Sequence, residues 1–218
     1  MNLLQLRTAF RVDVDDILEP YLFTDAQFLE WINEAQDEAC IRANLLFEST
    51  DEGMCLVTLE AGERGYIVDE KWHVITKAYI VGDECPLTLT SREDLDRRRP
   101  RWRQDTDRTR ELMVFDGRIE LDVATTVERT LQLEGFRLPK SPMKADGSKP
   151  EIARMHHRSL VEWARYRAYS RPDSESFDPA RAARSEQAFA AVFGLRPEAD
   201  MRRHWYEDTP HVNHGFWA

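Results

Sequence analysis

Histidines, arginines and carboxylates are the side chains here whose type and spacing suggest chemistry. His156 and His157 are adjacent. On a helix, neighbours point about 100° apart, so the two rings do not converge on one metal. His156 shares the apolar stripe of its segment and reads as a hydrogen-bonded core histidine. Near the end of the chain, His204, Glu207, His211 and His214 have the spacing of metal ligands. They sit in a stretch without helical or strand period, unlike the scaffolds of structural zinc sites.

The one basic patch is Arg97, Arg98, Arg99, Arg101 and Arg103 around Trp102. It has the composition of a phosphate contact. Acids interrupt it throughout, so a salt-bridged subunit interface is the other reading. Asp13, Asp15 and Asp16 cluster, but nothing in the sequence places them in a pocket that would tune an acid or base. No Gly-rich phosphate loop, nucleophile elbow or HExxH motif is present. No catalytic residue, metal ligand or cofactor site is assigned on this basis.

The elements that carry these residues follow from periodicity. Residues 24–46 form the clearest helix, with Phe28, Trp31, Ile32, Ala35, Ala39, Ala43 and Leu46 on one face. Thr24 and Gln27 make a capping box, and Phe23 with Phe28 a hydrophobic staple. A shorter helix over about 2–10 carries Leu3, Leu4, Leu6 and Phe10. From about 54 to 136 the period becomes two, which predicts an antiparallel sheet with one buried face. Asp116-Gly117 marks its tightest hairpin. Ser91 with Asp94 starts a short helix that Pro100 ends. After a turn-rich connector at 138–150, two antiparallel helices are expected. The first is capped by Ser148 and Glu151, with Ile152, His156, Leu160, Trp163, Ala164 and Ala168 inward. The second opens at Asp178-Pro179, is expected to bury Ala182, Phe189, Val192 and Phe193, and stops at Gly194.

The fold class is therefore α+β: an antiparallel helical bundle (1–50 and 137–194), an inserted antiparallel β-sheet (51–136) and an extended C-terminal arm (195–218). The arm carries Trp205, Tyr206, Phe216 and Trp217 with Pro197 and Pro210 and no period. Ordering backbone costs about 1–2 kcal/mol per residue. Four aromatic anchors do not offset that over the whole segment, so the arm is expected to take its shape on a docking surface outside its own subunit.

Composition sets limits on partners. The net charge of −10 over 218 residues argues against general nucleic-acid binding. It suits solubility, or a channel that does not hold DNA. Cys40, Cys55 and Cys85 have no CxxC spacing and read as three reduced thiols. Arg7 and Arg11 come too early for a signal peptide, and no apolar run reaches membrane-spanning length. Synthesis in the cytoplasm and no membrane partner are the expectations.

In order and spacing the chain resembles the head-to-tail adaptor (connector) proteins of tailed bacteriophages. The features that carry this are the early leucine helix and "FTDAQFLEWINEAQDEACIRA" with Asn33, Glu34 and Ala35 at its centre. A β-rich middle and "LPKSPM" follow. Last comes the closing helix pair in "PEIARMHHRSLVEWARYRAYSRPDSESFDPARAARSEQAFAAVFG", with Asp173 and Asp178 at its turn. The resemblance spans residues 1–194. It implies a non-enzymatic virion protein at the head-tail junction, a homo-oligomeric ring of twelve copies beneath the portal protein. DNA would pass through its lumen without specific binding, and the other face would meet a tail tube or nozzle protein. The arm would reach toward the portal. Three other readings are kept: a tail-tube or nozzle subunit of the same particle; a small hydrolase joining His73 or His156 to carboxylates; and a DNA-binding regulator acting through Arg97–Arg103.

Overall fold

The computed structural model describes residues 1–172 and 175–198. In chain order the elements are α1 (Leu3–Asp13), α2 (Asp25–Ala43), β1 (Phe47–Glu48), α3 (Glu52–Cys55), β2 (Leu56–Leu59), β3 (Gly65–Ile67), β4 (Trp72–Ile80), β5 (Thr88–Thr90), α4 (Arg92–Arg98), β6 (Glu111–Phe115), β7 (Arg118–Leu121), β8 (Arg129–Arg137), α5 (Leu160–Tyr169) and α6 (Pro179–Phe193). The architecture is α+β. The chain divides into two compact units, one built from Met1–Leu46 and Arg137–Pro197, the other containing Phe47–Phe136.

In the helical unit, local sequence fixes where helices begin. The Asn2 side chain accepts from Gln5 N at 2.9 Å, and the Gln5 side chain accepts from Asn2 N at 3.0 Å. Thr24 and Gln27 repeat this reciprocal arrangement at the start of α2. α2 ends at Asn44, whose φ of 49° is the left-handed conformation Asn tolerates. The staple is present, and it extends further than two residues. Phe10, Phe23, Phe28 and Trp31 form an aromatic cluster with centroids 5.2 to 6.1 Å apart. α5 and α6 are antiparallel: Arg181 at the start of α6 reaches Tyr169 at the end of α5, and Phe193 at the end of α6 packs on His156, before α5. Trp163 and Phe189 meet between them at 5.1 Å. Asp178 caps α6 by accepting from Ala180 N and Arg181 N.

Two expectations about the connector and α5 are corrected. Ser148 and Glu151 do not cap a helix. The Ser148 hydroxyl accepts from Ala145 N, and the Glu151 carboxylate takes Arg137 Nη2 and Lys140 N, both at 2.8 Å. Buried Gln36 accepts Glu151 N at 2.6 Å, so that N–H is satisfied by α2 rather than by a new helix. Residues 154–156 make only a single 3-10 turn, and α5 opens at Leu160. The change of backbone turns the histidines. His157, not His156, is the buried one. Its Nε2 donates to Ile152 O at 3.0 Å and its Nδ1 faces the Met1 backbone. Both roles are satisfied internally.

The β unit holds two four-stranded sheets rather than one. In the first, β8 pairs with β1, β2 and β4; in the second the order is β3-β7-β6-β5. β1–β8, β2–β8, β3–β7 and β6–β7 are antiparallel, and β5–β6 is parallel. The connection from β5 to β6 passes through α4, the crossover a parallel pair needs. Leu59, Ile75, Leu89, Leu112, Ile119, Leu121, Leu131 and Leu133 form the core. The β6–β7 hairpin turns at Asp116-Gly117 as its sequence suggests, with Gly117 at φ 67°. Asp116 is not at positive φ. Cys40, Cys55 and Cys85 form no disulfide. Among the described residues, no helix is long and apolar enough to cross a membrane.

Candidate functional site

The arginine segment owes its position to α4 and to the 3-10 turn Trp102–Gln104. Ser91 caps α4 through Asp94 N, and the helix stops at Arg99, before Pro100. Trp102 is not a surface partner of the arginines. It is 1% exposed and packs with Leu95 and Met113 in a small core of its own. Its indole N–H donates to Asp96 at 2.8 Å. Arg103 pairs with the same Asp96 and lies over the indole, 4.4 Å from the ring centroid. That hydrogen bond and the indole donor hold the Asp96 carboxyl below the usual carboxylate range.

Arg98 and Arg99 face a second set of carboxylates. Arg98 meets Asp94 at 2.6 Å and Glu111 at 2.8 Å. Arg99 meets Asp105 at 2.5 Å, Asp122 at 2.9 Å and Glu111 at 3.3 Å. The hydrogen bonds to Asp105 and Asp122 push the Arg99 guanidinium further up. Asp122 has no exposed surface; one oxygen accepts Arg110 N and Glu111 N, the other Arg99. The structure thus pairs Arg98, Arg99 and Arg103 with carboxylates and buries Trp102 beneath Arg103. Arg97 keeps only a long 3.7 Å contact to Asp94 and is largely exposed. Arg101 is exposed and has no ion pair among the described residues. Phosphate affinity needs uncompensated positive charge, and most of this patch is compensated. The partners on Glu111 and Asp122 were missed from sequence because they lie on β6 and just after β7, and only the sheet register makes them neighbours.

The hydrolase reading places its weight on His73 and His156. His73 lies on β4 in the β unit, whereas His156 lies in the helical unit with its ring on Phe193, 5.5 Å between centroids. Among the described residues, no group of three His, Cys, Asp or Glu side chains is placed to hold a metal. A polar cleft of about 370 Å³ in the β unit is lined in part by Thr106, Thr109 and Thr125. Its charges are already matched: Asp83 bridges Arg129 at 2.8 Å and Arg108 at 3.0 Å. The Arg129 hydrogen bond comes first among the causes that hold the Asp83 carboxyl low.

The arm anchors Trp205, Tyr206, Phe216 and Trp217 lie outside the described residues, as do His204, Glu207, His211, His214 and, at the turn before α6, Asp173. The residues that follow α6, up to Glu198, are described. Arg42 has its guanidinium against Trp163 and Phe189 and pairs with Glu38 at 2.8 Å and Glu186 at 3.3 Å. It also donates to Gly194 O at 3.2 Å, at the end of α6. Arg196 then reaches Glu38 at 3.6 Å. Residues 194–196 are therefore tied to the last turns of α2.

A four-helix unit with a two-sheet β unit, its charged groups largely engaged with one another, defines the chain as an α+β protein in two parts. The comparison with family models makes this specific: the model of the SU10 adaptor protein family matches residues 1–212. The chain belongs to that family, a family of phage adaptor proteins. No curated protein matches it.

Proposed function

We propose that the chain is the head-to-tail adaptor of a tailed phage, a non-enzymatic structural protein. Twelve copies form a ring between the portal and the tail tube or nozzle, and DNA passes through the lumen. The match of the adaptor family model over residues 1–212 carries this reading. Two physical features support it. A net charge of −10 disfavours retention of DNA in a lumen. Arg98, Arg99 and Arg103 are paired with carboxylates, which leaves little uncompensated charge for phosphate.

In this reading the arm is the portal-binding element. Trp205, Tyr206, Phe216 and Trp217 supply its anchors, since aromatic residues dominate interface energetics. The ties from Arg42 to Gly194 and from Arg196 to Glu38 fix where the arm departs from the bundle. Portal proteins present many identical sites, so weak arms acting together bind strongly.

Co-sedimentation with the portal protein tests this. The full chain is expected to pellet with portal, and a chain ending at Gly194 to lose at least about tenfold in affinity, the effect of one or two lost anchors. Equal binding by both forms would remove the arm mechanism. Binding of the full chain to tail tube but not to portal would support the tube or nozzle reading instead.

A further inference from the structure

The loop between α1 and α2 is held rigid by buried charge and presents apolar side chains outward. Asp16 accepts from Leu22 N at 2.8 Å and Phe23 N at 3.1 Å and pairs with Arg11 at 3.0 Å. Arg11 donates to Phe23 O at 3.3 Å and lies 3.5 Å over the Tyr21 ring. Both Asp16 and Arg11 are buried. Residues 16–23 are thereby closed on themselves, and Ile17, Leu18 and Leu22 remain 59%, 83% and 52% exposed. Clustered apolar exposure of this kind marks an interaction site. A backbone fixed before contact loses little entropy on docking.

A second apolar surface lies at the opposite end of the same unit. α6, fifteen residues long, spans about 22 Å. It ends at the pole away from the loop: α2 begins directly after the loop, at Asp25, and about 25 Å further on Arg42 donates to Gly194 O at 3.2 Å. Its far end carries exposed Val192 and then Leu195, 79% exposed. The packing of Phe193 on His156 brings Met155, 80% exposed, to this end. The rims are complementary. Glu19 on the loop and Arg154 beside Met155 are both exposed, and neither has an ion pair among the described residues.

We propose that the loop at residues 17–22 of one copy docks on the Met155, Val192 and Leu195 surface of a second copy, with Glu19 against Arg154. This rests on the ring reading and names the contact that repeats around it. Where the second copy does not return the contact to the first, the interface is heterologous and repeats from copy to copy until rotation closes the ring. The positive rim of one patch facing the negative rim of the other sets the direction of that contact.

Sedimentation velocity over a rising concentration series tests it with complementary lesions. Leu18→Asp and Met155→Asp are each expected to weaken self-association at least about tenfold. Mixed together, they should form a one-to-one heterodimer, because one chain keeps its loop and the other its receiving surface. Glu19→Arg and Arg154→Glu form a second pair at exposed positions, where folding is not at stake. Each alone should weaken association, and their mixture should recover it. Wild-type-like association of all four variants overturns this contact and leaves the ring reading standing. Loss in the single variants without recovery in either mixture overturns it as well. A wild-type chain that stays monomeric throughout, with and without portal, overturns both.

Discussion

Replacing Gly135 with alanine should remove most of the stability of the β unit. Gly135 lies on β8, the strand that pairs with β1, β2 and β4. A Cβ built there would sit 2.1 Å from Val74 O and 2.9 Å from the Ile75 Cα. Both atoms belong to the backbone of β4, so no side chain can rotate away. Relief requires β4 to separate from β8, which breaks the pairing that closes the sheet. Overpacking against movable side chains costs about 1–3 kcal/mol; a clash with fixed backbone should exceed about 3 kcal/mol. Domains of this size have only about 5–15 kcal/mol in total. Urea unfolding of Gly135→Ala should show a midpoint far below wild type. Gly147→Ala is the control: its Cβ meets nothing within 4 Å, and it should unfold with the wild-type midpoint. Matching midpoints for both variants would mean that β4 and β8 are not packed this closely.

Asp122→Ala carries the second large effect. The carboxylate has no exposed surface, and its three partners are the backbone N–H groups of Arg110 and Glu111 and the Arg99 guanidinium. Alanine leaves two backbone donors, the buried Glu111 N and the part-buried Arg110 N, without this acceptor and Arg99 with one carboxylate fewer. Breaking a buried charged network by removing one member costs about 3–5 kcal/mol, and stranded donors account for part of that. Asp122→Asn keeps an oxygen for the two N–H groups and should cost less than half as much. Thermal unfolding of the three proteins should give the order wild type, Asn, Ala. An Ala variant as stable as wild type would contradict the network, and with it the view that these arginines are structural.

Much of the fold could be read from local signals. Thr24 with Gln27 and Asp178 with Pro179 announce their helices because a cap is satisfied within four residues. Gly117 and Gly194 mark ends because those backbones take φ of 67° and 85°. The errors have non-local causes. Ser148 and Glu151 match a capping box, but Gln36, more than a hundred positions away, captures the N–H that a cap would serve. That delays α5 to Leu160 and exchanges the places of His156 and His157. The strand period does not reveal which strands share a sheet. The parallel β5–β6 pair was nevertheless foreshadowed by the helix between its two strands. In the candidate site, the acids within the segment, Asp94, Asp96 and Asp105, indicate compensation for the arginines. Glu111 and Asp122 do not, because sheet register alone brings them there. Trp102, in a run of arginines, looks like a contact residue, and only the core formed with Leu95 and Met113 accounts for it. The arm is an expectation from composition alone, and residues 199–218 lie outside those the structure describes.

The adaptor reading makes a claim about place, and an image of the assembled particle tests that most directly. Cryo-electron microscopy of the neck, with the chain traced by its α2, α5 and α6 helices, should show a closed ring of this protein seated between portal and tail, its C-terminal segments directed at the portal. Density for these helices anywhere else in the particle, stacked along the tail or on the capsid shell, would contradict it.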